Sequence, residues 1–354
     1  MVRSETHKKL FIPGPTEVRE EILDAQAQWM IGHRGKDFSD LYGGIIEKLK
    51  KFLNTDKHAC VYTSSGTGLM EAAIRNGVEK NVLCCVNGAF SERWAKIAEA
   101  CGKEVDKLEF EWGKAVKPEA IAKKLDEKNY DAVTVVQNET STGVRAKLED
   151  IAPVVKKHGS LLLVDTVSSL GGDRIDVNLA DMVLTSSQKC FALPPGLAIC
   201  TLSDAMLEKS KKAKGKGSYF DLASMIDYTE SKKQTPETPA ISLMFALSAE
   251  LDYMLKEGAD GRYRRHLEMA EHVRSWAKKN FALFAEPGYE SVTVTCVKNT
   301  KNVNVSELNK KLKDMSISDG YGKIKDSTFR IAHMGDLTLK DVKELTTRID
   351  GVIQ

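Results

Sequence analysis

The sequence predicts an α/β protein: a mostly parallel sheet flanked by helices, followed by a smaller C-terminal α+β domain. Three observations carry this. Short apolar runs at 59–63, 82–86, 132–136, 161–165, 182–185 and 198–202 alternate with helix-forming stretches, the pattern of βαβ units. Leu161-Leu162-Leu163-Val164 is apolar at every position before Asp165, as in a parallel strand buried on both faces. From about residue 241 the order changes to two long helical stretches (about 241–256 and 263–280) and then strand (291–297), helix (305–315), strand (328–331) and helix (340–353). No internal repeat is present. The expected division is an N-terminal segment (1–20) packing with the small domain, a large domain (21–250) and a small domain (251–354).

In chain order, Phe11-Ile-Pro-Gly-Pro-Thr16 is held extended by its prolines before a helix opens at Glu17. Gly32-His33-Arg34-Gly35 is a polar link that could meet an anion or simply lie at the surface. Ser64-Ser65-Gly66-Thr67-Gly68 joins a strand to a helix. Free N–H groups, hydroxyls and a positive dipole end make such a turn an anion site, or else an ordinary cap. It nearly spells a dinucleotide fingerprint, but Glu71 stands where the third glycine belongs and the next strand ends at Asn87. One phosphate monoester is therefore expected, and not a pyrophosphate. Phe90 opens the following helix, where an aromatic ring either staples the core or covers a flat ligand. Gln137 to Gly143 is a polar loop after a buried strand, either solvated or the wall of a site.

The chemistry concentrates around Lys189. It follows the strand 182–185 and Ser186-Ser187-Gln188, and no other charge lies between Asp181 and Asp204. Burial would favour the neutral, nucleophilic amine used in Schiff-base chemistry, whereas a strand-end lysine reaching water would stay charged. Asp165 ends a strand 24 residues earlier, so the two could form an ion pair, or hold a pyridine ring nitrogen and an aldehyde respectively. The dense cluster 209–216 reads as a solvated face, because Asp204 and Glu208 lie just upstream. Thr235-Pro-Glu-Thr238-Pro239 is by composition a helix entry. Arg330 lies inside an apolar strand, where its fork must be paired internally or face a polar cavity suited to a carboxylate. His333 reads as a strand-end support.

Composition excludes several classes. The 354 residues are 42% hydrophobic with a net charge of +2, ample for a core and without the basic excess of nucleic-acid binders. Seven cysteines form no CxxC pair, so they read as buried thiols in a reducing compartment, with no metal site. Met1 to Lys9 has no apolar signal core and no run reaches membrane-spanning length. A soluble, cytoplasmic protein is expected.

Together, Pro13-Gly-Pro-Thr16, Val164-Asp165-Thr-Val-Ser-Ser-Leu-Gly-Gly172, Ser186-Ser-Gln-Lys189, Pro194-Pro-Gly196 and Arg330-Ile-Ala-His-Met-Gly335 resemble class V aminotransferases of the alanine–glyoxylate and serine–pyruvate type. The resemblance runs nearly end to end. It implies the type I fold of enzymes that use pyridoxal phosphate (PLP), with the cofactor bound to Lys189. Asp165 would hold the ring nitrogen, Phe90 and Val167 would adjoin the ring, and Thr140 would bond its phenolic oxygen. Ser65, Gly66, Thr67 and Gln188 would bind the phosphate, joined by Thr238, or else Thr235, from a partner subunit. Gly14 and Arg330 would meet the substrate. The resemblance implies a homodimer with shared sites and a small neutral donor, serine or alanine, with glyoxylate or pyruvate as acceptor.

Aspartate or phosphoserine would need a second cation, which His33, Arg34 or the loop 321–325 could supply. A cysteine desulfurase usually carries histidine before the lysine, where this chain has Gln188, and needs a mobile cysteine. A nucleotide-binding oxidoreductase and a non-catalytic PLP-binding protein are the other readings left open.

Overall fold

The computed structural model describes residues 7–353. Residues 1–6, part of the stretch without a signal core, lie outside the described residues.

The apolar runs form one seven-stranded sheet. In spatial order its strands are His58–Thr63, Leu197–Leu202, Met182–Ser186, Leu161–Asp165, Ala132–Val136, Asn81–Val86 and Glu104–Glu109. Only Leu197–Leu202 opposes its neighbours, pairing antiparallel with both His58–Thr63 and Met182–Ser186; the other pairs are parallel. Six strands therefore point their carboxyl ends to one edge, where open α/β sheets bind ligands. The central strands are buried at every position, which is why their sequences are continuous and not alternating. Helices cover both faces over two apolar clusters. Glu104–Glu109 is an edge strand whose charged residues face solvent, and periodicity alone did not reveal it.

A second sheet of five strands has the order Lys9–Phe11, Met315–Asp319, Thr328–Ala332, Val294–Lys298, Ala282–Leu283. It packs with helices Ala259–Asn280, Val305–Leu312 and Leu339–Ile353 over its own core. Two expectations are corrected here. The helix expected over 305–315 ends at Leu312, because Lys313 turns to φ 58° and Met315–Asp319 becomes a strand. The strand expected from 291 starts at Val294, because the Ser291 hydroxyl accepts the Thr293 and Val294 N–H groups in a turn.

Between the sheets lies a network of buried charge. Arg262, 1% exposed, meets Glu250 at 3.4 Å, Glu257 at 3.2 Å and Asp336 at 3.4 Å. Arg19 reaches Asp336 at 2.7 Å. Burial, aided by the nearby Asp336 charge, pushes the Glu250 carboxyl up.

Candidate active site

Lys189 occupies the hairpin between Met182–Ser186 and Leu197–Leu202. Its main chain is fixed from three sides. Thr16 Oγ1 donates to the Lys189 carbonyl at 2.9 Å, and the Arg262 fork donates to Cys190 O at 2.6 Å and Gly171 O at 2.9 Å. Ser187 Oγ donates to Pro194 O at 2.8 Å, closing the loop. The side chain runs along the Pro13-Gly14 turn and donates to Pro13 O. Gly14 is required there: its φ is +97°, and a Cβ would stand 2.6 Å from Lys189 Nζ. Burial, aided by the nearby Arg330 charge, lowers the Lys189 amine to about 8.

Asp165 ends the neighbouring strand and is buried, accepting the Val167 N–H at 2.6 Å. Burial raises its carboxyl from 3.8 to about 7. Gly66 packs under Val167, whose Cγ2 would collide with a Cβ there. Gly66 begins the helix Gly66–Gly77, and Ser65 caps it by accepting the Gly68 N–H. Ser65 and Thr67 are exposed at this cup. Ser186 Oγ, near the same glycine, and Gln188 Oε1 are buried without a hydrogen-bond partner.

On the other side, Phe90 starts the helix Ala89–Ala100. Its ring stacks on Tyr321 with centroids 5.4 Å apart and planes 18° from parallel. Arg330 Cζ lies 5.3 Å from the Tyr321 centroid. The guanidinium donates to Asp319 O at 3.0 Å and Thr140 O at 3.5 Å, and has no ion-pair partner among the described residues. Burial is the main influence on it, pressing its pKa down. The buried ion pair that was the structural alternative is therefore not made. Thr140 Oγ1 donates to Ser168 Oγ at 2.8 Å.

Sequence reasoning passed over three residues here. Glu139 is buried and caps the Phe90 helix, accepting from the Ser91 N–H at 2.9 Å, the Phe90 N–H at 3.2 Å and the Ser141 hydroxyl at 2.6 Å. Its signal was a lone acid in a polar loop following a buried strand. Tyr321 lies in the loop 321–325, whose sequence points only to a source of a second cation. Arg93, one turn beyond Phe90, had not been singled out.

The remaining candidates lie elsewhere. The Thr235 hydroxyl donates to Glu237 O at 2.7 Å and is buried. Thr238 is exposed, 3.3 Å from His33 Nε2. Arg34 gives its fork to the carbonyls of Thr235 and Pro236. His333 bonds Thr295 at 2.9 Å, and burial pushes it down to about 3, so it is neutral. Of the seven free thiols, all are buried except the partly buried Cys101. No helix is long and apolar enough to cross a membrane, and no cluster of three or more acidic, histidine or cysteine side chains could hold a metal, among the described residues.

This arrangement has known counterparts. A family profile described as Aminotransferase class-V matches residues 15–320. An uncharacterised aminotransferase of Methanocaldococcus jannaschii is 43% identical, covering 95% of this chain and 90% of its own length. A serine–glyoxylate aminotransferase of Methylorubrum extorquens is 32% identical (93% and 86% covered). An L-aspartate–glyoxylate aminotransferase of Paracoccus denitrificans is 34% identical (93% and 87%). The crystal structure of an alanine–glyoxylate aminotransferase from Nostoc superposes with a TM-score of 0.94 at 27% identity, covering 100% of this chain and 97% of that one. With the strand-end aspartate and the unpaired arginine both within electrostatic reach of the hairpin lysine, the chain belongs to the class V aminotransferases, a family that works with pyridoxal phosphate, and is an aminotransferase.

Proposed function

We propose that this chain binds PLP and transfers an amino group from a small L-amino acid, serine or alanine, to a 2-oxo acid such as glyoxylate or pyruvate. One observation carries the reading. Asp165 ends one strand and Lys189 follows the next, each shifted by burial toward its uncharged form, and Lys189 feels the field of an Arg330 that has no carboxylate of its own.

The residues fit the cofactor. Asp165 has no ion-pair partner among the described residues, which suits a protonated ring nitrogen. Ser186 Oγ is a buried donor without an acceptor beside the exposed Ser65 and Thr67, which suits a phosphate. Turning the Gln188 amide over would present its NH2 there as well. When bound, PLP supplies an electron sink that stabilises negative charge at the substrate α-carbon. Lys189 Nζ would hold the cofactor and, when free, would take the proton from the substrate α-carbon and deliver it to the former aldehyde carbon. Asp165 would keep the ring nitrogen protonated, Phe90 and Val167 would confine the ring, and Thr140, by turning its hydroxyl from Ser168, would bond the phenolic oxygen. Arg330 grips the α-carboxylate with two parallel bonds. Gly14 leaves room for the Lys189 amine to move.

The choice of a neutral donor rests on the spent fork of Arg34 and on the Tyr321 ring set between Phe90 and Arg330, which narrows the side-chain end. The serine–glyoxylate and alanine–glyoxylate relatives support it; the L-aspartate–glyoxylate relative keeps aspartate as the second reading.

The chain is proposed to act as a homodimer in which Thr238, or Thr235, serves the partner's phosphate. Trp29, 92% exposed, and Met30, 61% exposed, lie in the same stretch as His33, which meets Thr238; an apolar surface of this kind marks an interface. An active monomer in light scattering would refute the dimer. The unpaired thiols support a cytoplasmic location, and the two sheets support division near residue 250, with Lys9–Phe11 of the N-terminal segment joining the small domain.

The test is spectroscopic. PLP-loaded protein should show a visible band that donors bleach, and Lys189→Ala should lose both band and turnover. Arg330→Ala should lower kcat/KM for every donor alike, by roughly thirtyfold or more. A preference for aspartate, glutamate or phosphoserine by about tenfold would overturn the donor choice.

A further inference from the structure

The groups assigned above to the cofactor phosphate are all neutral: the Ser65, Thr67 and Ser186 hydroxyls, the Gln188 amide and the N–H groups at the start of Gly66–Gly77. A phosphate monoester carries about 1.5 to 2 negative charges at neutral pH, whereas a helix N-terminus offers roughly half a positive charge. A full cation touches the cup from the next helix. Arg93 lies three residues beyond Phe90 on Ala89–Ala100, so both side chains leave the same helix face. Its Nη1 stands 3.5 Å from Thr67 Oγ1, its Nη2 donates to Tyr321 Oη at 3.2 Å, and its Cζ lies 4.8 Å from the Phe90 centroid.

Those acceptors are uncharged, and Arg93 has no ion-pair partner among the described residues. Holding a half-buried guanidinium against two hydroxyls and a ring leaves most of its charge uncompensated. Its field reaches the cofactor residues. It opposes the burial that raises Asp165 and adds to the burial that lowers Lys189. Two of the three side chains it touches, Thr67 and Phe90, are assigned to the cofactor, and only Tyr321 adjoins the substrate arginine.

We propose that Arg93 is the cationic ligand of the cofactor phosphate, its fork bridging Thr67 and the phosphate oxygens. This rests on the PLP reading above. It also explains how the site can hold a second arginine and still prefer a donor with a neutral side chain. The Arg93 charge is matched by the phosphate, which stays through both half-reactions, and is not offered to the substrate. Tyr321, bonded to the same fork, thereby ties the strand end that carries Arg330 to the phosphate end of the cofactor.

The test compares two ligands on the cofactor-free protein, PLP and pyridoxal, which shares the ring and aldehyde but lacks the phosphate. Dissociation constants are read from quenching of protein fluorescence. Arg93→Gln should weaken PLP by about tenfold to a hundredfold, the worth of one charge-assisted bond, and leave pyridoxal within about twofold. Arg93→Lys, which keeps the charge and loses the fork, should recover part of the difference and shows that the fold survives. Equal weakening of both ligands, or no change in either, would overturn the assignment. An unchanged PLP-to-pyridoxal ratio with a selective loss of kcat/KM for dicarboxylic donors would also overturn it and move Arg93 to the substrate. Wild-type protein that captures neither ligand would instead sink the cofactor reading itself.

Discussion

Asp165→Asn should stabilise the cofactor-free protein at alkaline pH while removing its activity. The Asp165 carboxyl is 3% exposed, so solvent screening does little for it, and burial raises it from 3.8 to about 7. Because the folded pKa is raised, the folded state keeps a proton that the unfolded chain has released. Stability from this group is full below pH 4 and is lost as pH climbs through about 7. Three units at 1.36 kcal/mol each amount to about 4 kcal/mol by pH 8, and about 1.5 kcal/mol at pH 5. Asparagine carries no such charge. Its oxygen can still accept the Val167 N–H, now made at 2.6 Å, while its NH2 needs an acceptor and costs about 1–2 kcal/mol without one. The variant should therefore exceed wild type by about 2–3 kcal/mol at pH 8 and match it near pH 5. Urea denaturation of both cofactor-free proteins, at equal concentration and at the two pH values, measures this. A variant no more stable at pH 8, or a difference that ignores pH, would refute the argument.

Three further outcomes follow from the same geometry. The Lys189 amine, lowered by burial to about 8, should capture PLP faster as pH rises through 8 and level off above it, as stopped-flow absorbance would show; a rise still continuing at pH 10 would refute this. Gly14→Ala forces a Cβ toward Lys189 Nζ at a φ of +97° and should cut cofactor capture sharply in a PLP titration, whereas normal capture would show the turn to be forgiving. Glu139→Gln removes the buried anion that caps the Phe90 helix and should cost about 1.5–3 kcal/mol in denaturation, with an unchanged midpoint counting against that role.

The strands bearing Asp165 and Lys189 were legible because burial on both faces writes itself as an unbroken apolar run, and each run stops where the chain turns polar. Arg330 was legible for the converse reason, as a charge inside such a run. Met315–Asp319 was not. Its buried Met315 and Ile317 alternate with polar residues, and the helical spacing from Val305 runs on toward it, so only the backbone turn at Lys313 marks the boundary. Arg93 and Tyr321 were missed because their meaning lies in contacts across 26 and 228 residues, which no local periodicity encodes. Glu139 looked like one polar loop residue among seven. The Phe90 N–H and the Ser91 N–H and hydroxyl reach its carboxylate only once the Phe90 helix has docked.

The lone antiparallel strand, Leu197–Leu202, has a consequence for how the protein assembles. The Lys189 hairpin is local, and the parallel strands can associate through short helical crossovers. The proposed phosphate cup, by contrast, follows His58–Thr63, which joins the sheet only by pairing with Leu197–Leu202; Cys60 and Cys200, opposite each other in that register, are 140 residues apart. Closing so long a loop is slow, because its entropy is lost before the pairing compensates. The lysine and the cup thus meet at the pairing of greatest sequence separation within the seven-stranded sheet. A refolding chain would gain its core before it could retain a phosphorylated cofactor, and delayed uptake of PLP would time the docking of the first strand onto a sheet otherwise complete.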